Sequence, residues 1–209
     1  MRRSSLPRRS RIGSRSGSPS HNALGSIRIV GGELRGRRIR VPDRGVRPTS
    51  DRTREAVFDV LGTSPVVNAR VLDLYAGTGA LGIEALSRGA LEAHFLEGSK
   101  AVARALRENL MQLGLSGRGT VHEADLSRID LPPGAAPPFD LVFLDPPYAG
   151  NAGALWLERL GGLPWSPRGG VVVYERRKGT EAVPPSGFGI LTERTYSDTT
   201  VTFYRALTA

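Results

Sequence analysis

From Arg70 onward the chain repeats a strand, a turn and a helix, and that alternation confines it to a largely parallel sheet covered on both faces. "RVLDLY" reads as a short apolar strand and "GALGIEALSRG" as a helix ending at Gly89. "EAHFLEGS" and "SKAVARALRENLMQLG" repeat the unit, "GTVHEAD" and "FDLVFLD" are further strands, "GALWLERLGG" is helical, and "GGVVVYER" is a fifth strand. "GILTERTYSDTTVTFYRAL" reads as two more strands, antiparallel to each other and turning at Ser197-Asp198. The expected fold is therefore α/β, a largely parallel sheet with helices on both faces. Ligands in such sheets sit beyond the carboxyl ends of the strands, so the polar residues there are the candidates for function.

The first strand runs into "VLDLYAGTGALG", in which Gly77, Gly79 and Gly82 fit G-x-G-x-x-G and Glu97 follows 20 residues after Gly77. That spacing suits any nucleotide-like ligand. Glycine is expected there because the backbone passes close under the ligand with no Cβ in the way. Asp73 narrows the choice. A carboxylate ahead of the loop repels a pyrophosphate, but suits a ligand that carries an ammonium group and no phosphate, as S-adenosyl-L-methionine (SAM) does. An acid that only braces the loop is the plainer alternative. Asp73, Glu97, Asp125 and Asp145 fall at four strand ends, with Glu97 placed to take ribose hydroxyls and Asp125 the adenine amine.

The fourth strand ends in "DPPY", Asp145 to Tyr148. Two prolines remove two backbone donors and fix two φ angles, so neither a helix nor an interior strand can continue through them. The four residues resemble the Asp-Pro-Pro-Tyr motif of amino-directed nucleic-acid methyltransferases. An exocyclic amine on a purine is a poor nucleophile because its lone pair is delocalised. The Asp145 carboxylate and the Pro146 carbonyl would accept its hydrogens, free the lone pair and stabilise the charge that develops, while Pro147 stiffens the turn. Tyr148 would stack on a base taken out of its helix.

The net charge of +9 is concentrated at the front. Residues 1–26 hold six Arg and no acid, residues 27–62 carry a net +4, and residues 63–209 a net −1. Lys occurs only twice, which reflects a preference for Arg but does not explain the placement; a polyanionic partner does. Three segments follow: a Ser/Arg-rich tail over 1–26 expected to be disordered, a hairpin-and-helix extension over 27–62, and the ligand-binding body over 63–209. "SIRIV" and "RRIRVP" alternate, which puts Ile27, Ile29, Ile39 and Val41 on one face and Arg28, Arg38 and Arg40 on the other. In "RPTSDRTREAVFDVLG", Ser50 or Asp51 would cap a helix that buries Ala56, Val57, Val60 and Leu61 and leaves Arg52 and Arg54 outside. The chain has no cysteine, hence no disulfide or thiolate metal site, and no stretch with the apolar length of a membrane span. His21, His94 and His122 lack ligand spacing, Trp156 and Trp165 read as packing residues, and Arg176, Arg177 and Lys178 as an exposed basic turn.

With these pieces assembled, the chain from Ile27 to its end resembles the bacterial 16S ribosomal RNA guanine-N2-methyltransferase D family. The resemblance is carried by "RIVGGELRGRRIRVP", "RPTSDRTREAVFDVL", "LDLYAGTGALGIEALSRGA", "FLE", "LDPPY" and "YSDTTVTFYR". It implies a Rossmann-like class I SAM-dependent methyltransferase with a seven-stranded, mostly parallel sheet, an antiparallel last strand and a hairpin-bearing N-terminal extension. Such an enzyme would modify the N2 of one guanine in 16S rRNA, on the small (30S) ribosomal subunit or an assembly intermediate. It implies that Asp73, Tyr75, Ala76, Gly77, Thr78 and Gly79 line the cofactor loop, with Glu97 at the ribose and Asp125 and Leu126 at the adenine. Asp145, Pro146, Pro147 and Tyr148 would form the catalytic motif, and Arg28, Arg35, Arg37, Arg38, Arg40, Arg47 and Arg52 would meet RNA, with the SAM carboxylate as the alternative partner of Arg47 or Arg52. No metal is implied. A cytoplasmic monomer is expected. Ala124 and Ser197 depart from glycines usual at those positions. A DNA adenine-N6 methyltransferase, a nicotinamide-dependent oxidoreductase and a non-catalytic ribosome-binding protein are the competing readings.

Overall fold

The computed structural model describes residues 25–42, 50–148, 150–164, 169–181 and 183–207. Strands β1 (Ser26–Arg28) and β2 (Arg38–Arg40) form a small antiparallel ribbon, and helix α1 (Asp51–Leu61) follows. The body then alternates β3 (Arg70–Leu74), α2 (Ala80–Ser87), β4 (Glu92–Glu97), α3 (Lys100–Leu113), β5 (Gly119–Glu123), a 3₁₀ turn (Leu126–Arg128), β6 (Leu141–Leu144), α4 (Ala152–Gly161) and β7 (Val171–Arg177). It closes with β8 (Phe188–Tyr196) and β9 (Thr199–Ala206). The seven-stranded sheet has the order β5-β4-β3-β6-β7-β9-β8. Only β9 runs against its neighbours, as the sequence predicts for the last strand. The turn before it places Ser197 at φ 52, the left-handed conformation that glycine would take without strain.

Local chemistry sets the element ends. Ser50 caps α1, its hydroxyl accepting from Thr53 N at 3.1 Å, and Ser99 caps α3 in the same way. Gly114 ends α3 in the left-handed conformation. One apolar layer packs on each face of the sheet. The first joins Phe95, Leu106, Phe143 and Phe203 to Ile27, Ile29, Ile39, Val57 and Phe58, so the N-terminal ribbon and α1 share their core with the body. The second is built around Trp156, Leu144, Val172 and Tyr204, which confirms Trp156 as a packing residue; Trp165 lies outside the described residues.

The ribbon behaves as its alternation predicts: Ile27, Ile29 and Ile39 are buried, Val41 is half-buried, and the arginines between them are exposed. It is also bolted down by polar contacts. Glu84 Oε2 accepts from Val30 N at 2.9 Å, and Ser87 Oγ accepts from Leu34 N at 3.0 Å while donating to Gly31 O at 2.6 Å. Buried Asn109 of α3 accepts from Arg40 N and donates to Arg40 O, at 2.9 and 3.0 Å. These partners lie in the second half of α2 and of α3, toward the end of the sheet opposite the strand carboxyl ends. In α1 the predicted stripe needs correction. Arg54 and Phe58 are buried with Val57 and Leu61, whereas Ala56 and Val60 are only half-buried. The guanidinium of Arg54 lies inward because it donates to Arg28 O at 2.6 Å and to Asp51 at 2.7 Å, which satisfies the buried charge.

Candidate active site

Along the carboxyl edge, β3, β6 and β7 are neighbours, and each delivers one acid. Asp73 sits one residue before the end of β3 and is buried; its Oδ2 accepts from Gly82 N at 2.9 Å. Gly82 N belongs to the first turn of α2, so the carboxylate occupies the helix N-terminus that could otherwise hold a phosphate. Burial raises the Asp73 pKa from 3.8 to about 8; the Gly82 bond opposes the rise and the charge of Glu97 adds to it. Asp73 therefore braces the glycine loop, the plainer of the two roles read from the sequence.

The loop itself is tightly folded. Tyr75 takes φ 60 and Gly77 φ 54, Ala76 N donates to Leu96 O at 3.0 Å, and Ala76 and Thr78 are buried. Glu97, at the end of β4, clasps the loop from the next strand: Oε2 accepts from Gly77 N at 3.0 Å and Oε1 from Ser99 N at 2.7 Å. Packing supplies a further reason for glycine at 79 and 82. A Cβ on Gly79, at φ +76, would stand 2.3 Å from Leu106 Cδ1, and one on Gly82 would stand 2.3 Å from the Phe95 ring. Gly79 lets the loop approach α3, and Gly82 lets α2 pack closely on β4. Asp125 is exposed and caps the 3₁₀ turn, accepting from Ser127 N and Oγ at 3.1 and 2.6 Å. Those bonds hold its pKa below the ordinary value. The Leu126 side chain is buried in the second core, and its carbonyl accepts from the Trp156 indole at 3.2 Å.

Asp145 follows β6 and lies between the acids of β3 and β7, with its backbone N 3.5 Å from Leu74 O. Its pKa is raised well above 3.8, first by burial, then by the charges of Glu175 and Asp73. Pro146 is buried, whereas Pro147 and Tyr148 are exposed. The Tyr148 hydroxyl is fixed between Thr199 Oγ1 at 2.7 Å and Glu175 Oε1 at 3.3 Å, and the residue, 45% exposed, lines a cavity. That cavity, about 530 Å³, is walled by Pro146, Pro147, Tyr148, Tyr174, Glu175 and Arg177 among others. The sequence reading missed Glu175 and Thr199. The signal for Glu175 was positional: β6 and β7 pair Leu144 with Tyr174, so the residue after each, Asp145 and Glu175, shares the edge.

Arg28, Arg35, Arg37, Arg38, Arg40 and Arg52 are all exposed, and Arg47 lies outside the described residues. Arg38 donates to Ser26 Oγ at 2.7 Å, and Arg37 to Gln112 O at 2.7 Å. Arg176 is not part of an exposed turn. It is buried, donating to Thr202 Oγ1, Thr180 O and Glu193, while Arg177 and Lys178 remain exposed. His94 and His122 are not isolated either: their rings stack, with Nδ1 and Nε2 3.1 Å apart. Among the described residues no group of three or more His, Cys, Asp or Glu is arranged to hold a metal ion, and no helix is long and apolar enough to cross a membrane. The tail over 1–26 lies outside the described residues apart from its last two.

Comparison with known proteins fits this geometry. Ribosomal RNA small subunit methyltransferase D of Escherichia coli (strain K12) is 43% identical over 131 residues, which is 62% of this chain and 64% of that protein, so the match spans less than two thirds of the relative. The protein of the same name from Haemophilus influenzae is 36% identical over 178 residues, covering 83% of this chain and 91% of its own length. The solved structure of yhhF from Escherichia coli superposes with a TM-score of 0.77 at 33% identity, covering 88% of this chain and 100% of that one. The fold is that of a class I methyltransferase. The family model described as Conserved hypothetical protein 95 matches residues 27–205. The chain belongs to that family, the methyltransferase D family that its motifs resemble.

Proposed function

We propose that this protein is a SAM-dependent methyltransferase that modifies the exocyclic N2 of a guanine in 16S rRNA, on the small ribosomal subunit or one of its assembly intermediates. The observation that carries the reading is the placement of Asp145, Pro146 and Tyr148 at one strand end, beside a glycine loop closed by acids. The residues fit SAM better than a dinucleotide. The α2 N-terminus, where a pyrophosphate would bind, is already taken by Asp73, and the acid cluster favours a cationic ligand. When bound, SAM supplies an electrophilic methyl group on a sulfonium.

The chain's residues would divide the remaining work. The loop from Asp73 to Gly79 and Glu97 would hold the cofactor, with Asp125 and Leu126 at its adenine end. Asp145 and the Pro146 carbonyl would accept hydrogen bonds from the amine, pushing the nitrogen toward tetrahedral geometry. As the methyl group joins the nitrogen, one N–H proton must leave. Asp145, with its raised pKa, is placed to take it. Tyr148, held upright by Thr199 and Glu175, would stack on the base. The exposed arginines of the N-terminal ribbon would hold phosphates.

The test is to incubate the protein with methyl-labelled SAM and small subunits from cells that lack the activity, then map the label. N2-methylguanine in 16S rRNA is expected, and Asp145→Ala is expected to abolish it. Label in adenine or in DNA refutes the assignment.

A further inference from the structure

We infer that Glu175 reads the target base as guanine by accepting its ring N1–H while Asp145 holds the amine at C2; the inference rests on the function proposed above and deepens it. The Asp-Pro-Pro-Tyr turn grips an amine, and both guanine and adenine offer one. What separates the two purines is the neighbouring ring nitrogen, an N–H donor in guanine and a lone pair in adenine. A discriminating group must therefore stand beside Asp145 and be an acceptor without a proton to give.

Glu175 meets that requirement by register. β6 and β7 are parallel neighbours whose last pair is Leu144 with Tyr174, so Asp145 and Glu175 are the next residues on adjacent strands, about 5 Å apart along the sheet edge. Paired positions on parallel strands project to the same face, as Phe143 and Val173 do immediately below, both in the same core layer. From adjacent strands the two side chains can converge on the two neighbouring donors of the Watson–Crick edge of guanine. Glu175 also walls the 530 Å³ cavity together with Pro146, Pro147 and Tyr148. Its orientation is set by a hydroxyl relay in which Thr199 bonds the Tyr148 oxygen at 2.7 Å and Tyr148 donates to Glu175 Oε1 at 3.3 Å. The stacking ring and the discriminating carboxylate are thereby positioned as one unit.

The test uses the full chain and small-subunit RNA carrying guanine or 2-aminopurine at the position that labelling maps. 2-Aminopurine keeps the amine at C2 but presents a lone pair at N1. The wild type is expected to show a kcat/KM for guanine about 100-fold above that for 2-aminopurine. Glu175→Gln, whose amide donates to the N1 lone pair, is expected to lose at least about tenfold on guanine and to gain on 2-aminopurine, bringing the ratio below about 10. An equal loss on both RNAs, or a wild type that does not distinguish them, overturns the role of Glu175 and leaves the methyltransferase function standing. The wild-type comparison needs no variant, so a Glu175→Gln protein that fails to fold does not shield the inference. A wild type that labels no guanine overturns the function and this inference together.

Discussion

Replacing Asp73 by Asn is expected to make the free protein more stable at neutral pH while weakening its hold on SAM. In the folded chain the Asp73 pKa is raised from 3.8 to about 8, chiefly by burial. Between those two values the folded state keeps a proton that the unfolded state releases, so stability is fully present below pH 4 and is lost as the pH rises toward 8. Each unit of separation is worth about 1.4 kcal/mol, which makes the loss about 1.6 kcal/mol at pH 5 and up to about 4 kcal/mol at pH 7. Asn removes the titration yet keeps an oxygen for Gly82 N. Asp73→Asn should therefore match the parent near pH 4, exceed it by an amount that grows with pH, and level off above pH 8. At pH 7 a gain of this size raises Tm by roughly 10 °C for a chain of this length. Urea titrations at pH 5, 6, 7 and 8, followed by the fluorescence of buried Trp156, measure the difference directly. A variant less stable than the parent at pH 7, or a gap that does not change with pH, refutes the reasoning.

Two further outcomes test how the extension is held and what it does. Asn109→Ala removes both bonds to the Arg40 backbone and is expected to cost about 2 kcal/mol, with faster amide exchange over residues 26–40 than over β3 or β6. Arg38→Ala and Arg40→Ala should weaken RNA binding for any sequence, each lowering the slope of log affinity against log salt by about one, as read in a filter-binding series from 50 to 200 mM salt.

Much of this architecture could be read from the sequence because it is periodic. Alternation in β1 and β2, the strand–helix repeat after Arg70 and the antiparallel closing pair each left a pattern that the fold reproduces. The "DPPY" turn was legible for a different reason, since two prolines and an acid at a strand end leave few structural explanations. What stayed hidden were partnerships made across long separations. Arg54 reads as a surface residue on its helix and is buried because Arg28 O, 26 positions away, needs a donor. Arg176 looks like part of a basic cluster, yet it braces β7 against β9 through Thr202. Glu175 is unremarkable inside "VVVYER" until strand order sets it beside Asp145. The glycines at 79 and 82 were recognised, but their neighbours Leu106 and Phe95 lie on other elements, so the packing they permit was not.

Helix α2 has a consequence for the RNA that the proposed function calls for. One end lies under the glycine loop, where Gly82 meets Asp73; the other, at Ser87, receives the turn between the two arginine strands. Its eight residues measure about 12 Å, comparable to three or four base steps of a nucleic-acid strand. On the proposed function, phosphates at the ribbon and a base at Tyr148 would therefore belong to different nucleotides, whether on one strand or on two strands brought together by folding. On the function proposed above, a free nucleotide can occupy one end of this ruler but not both, so turnover is expected to rise once the RNA is long enough to span it.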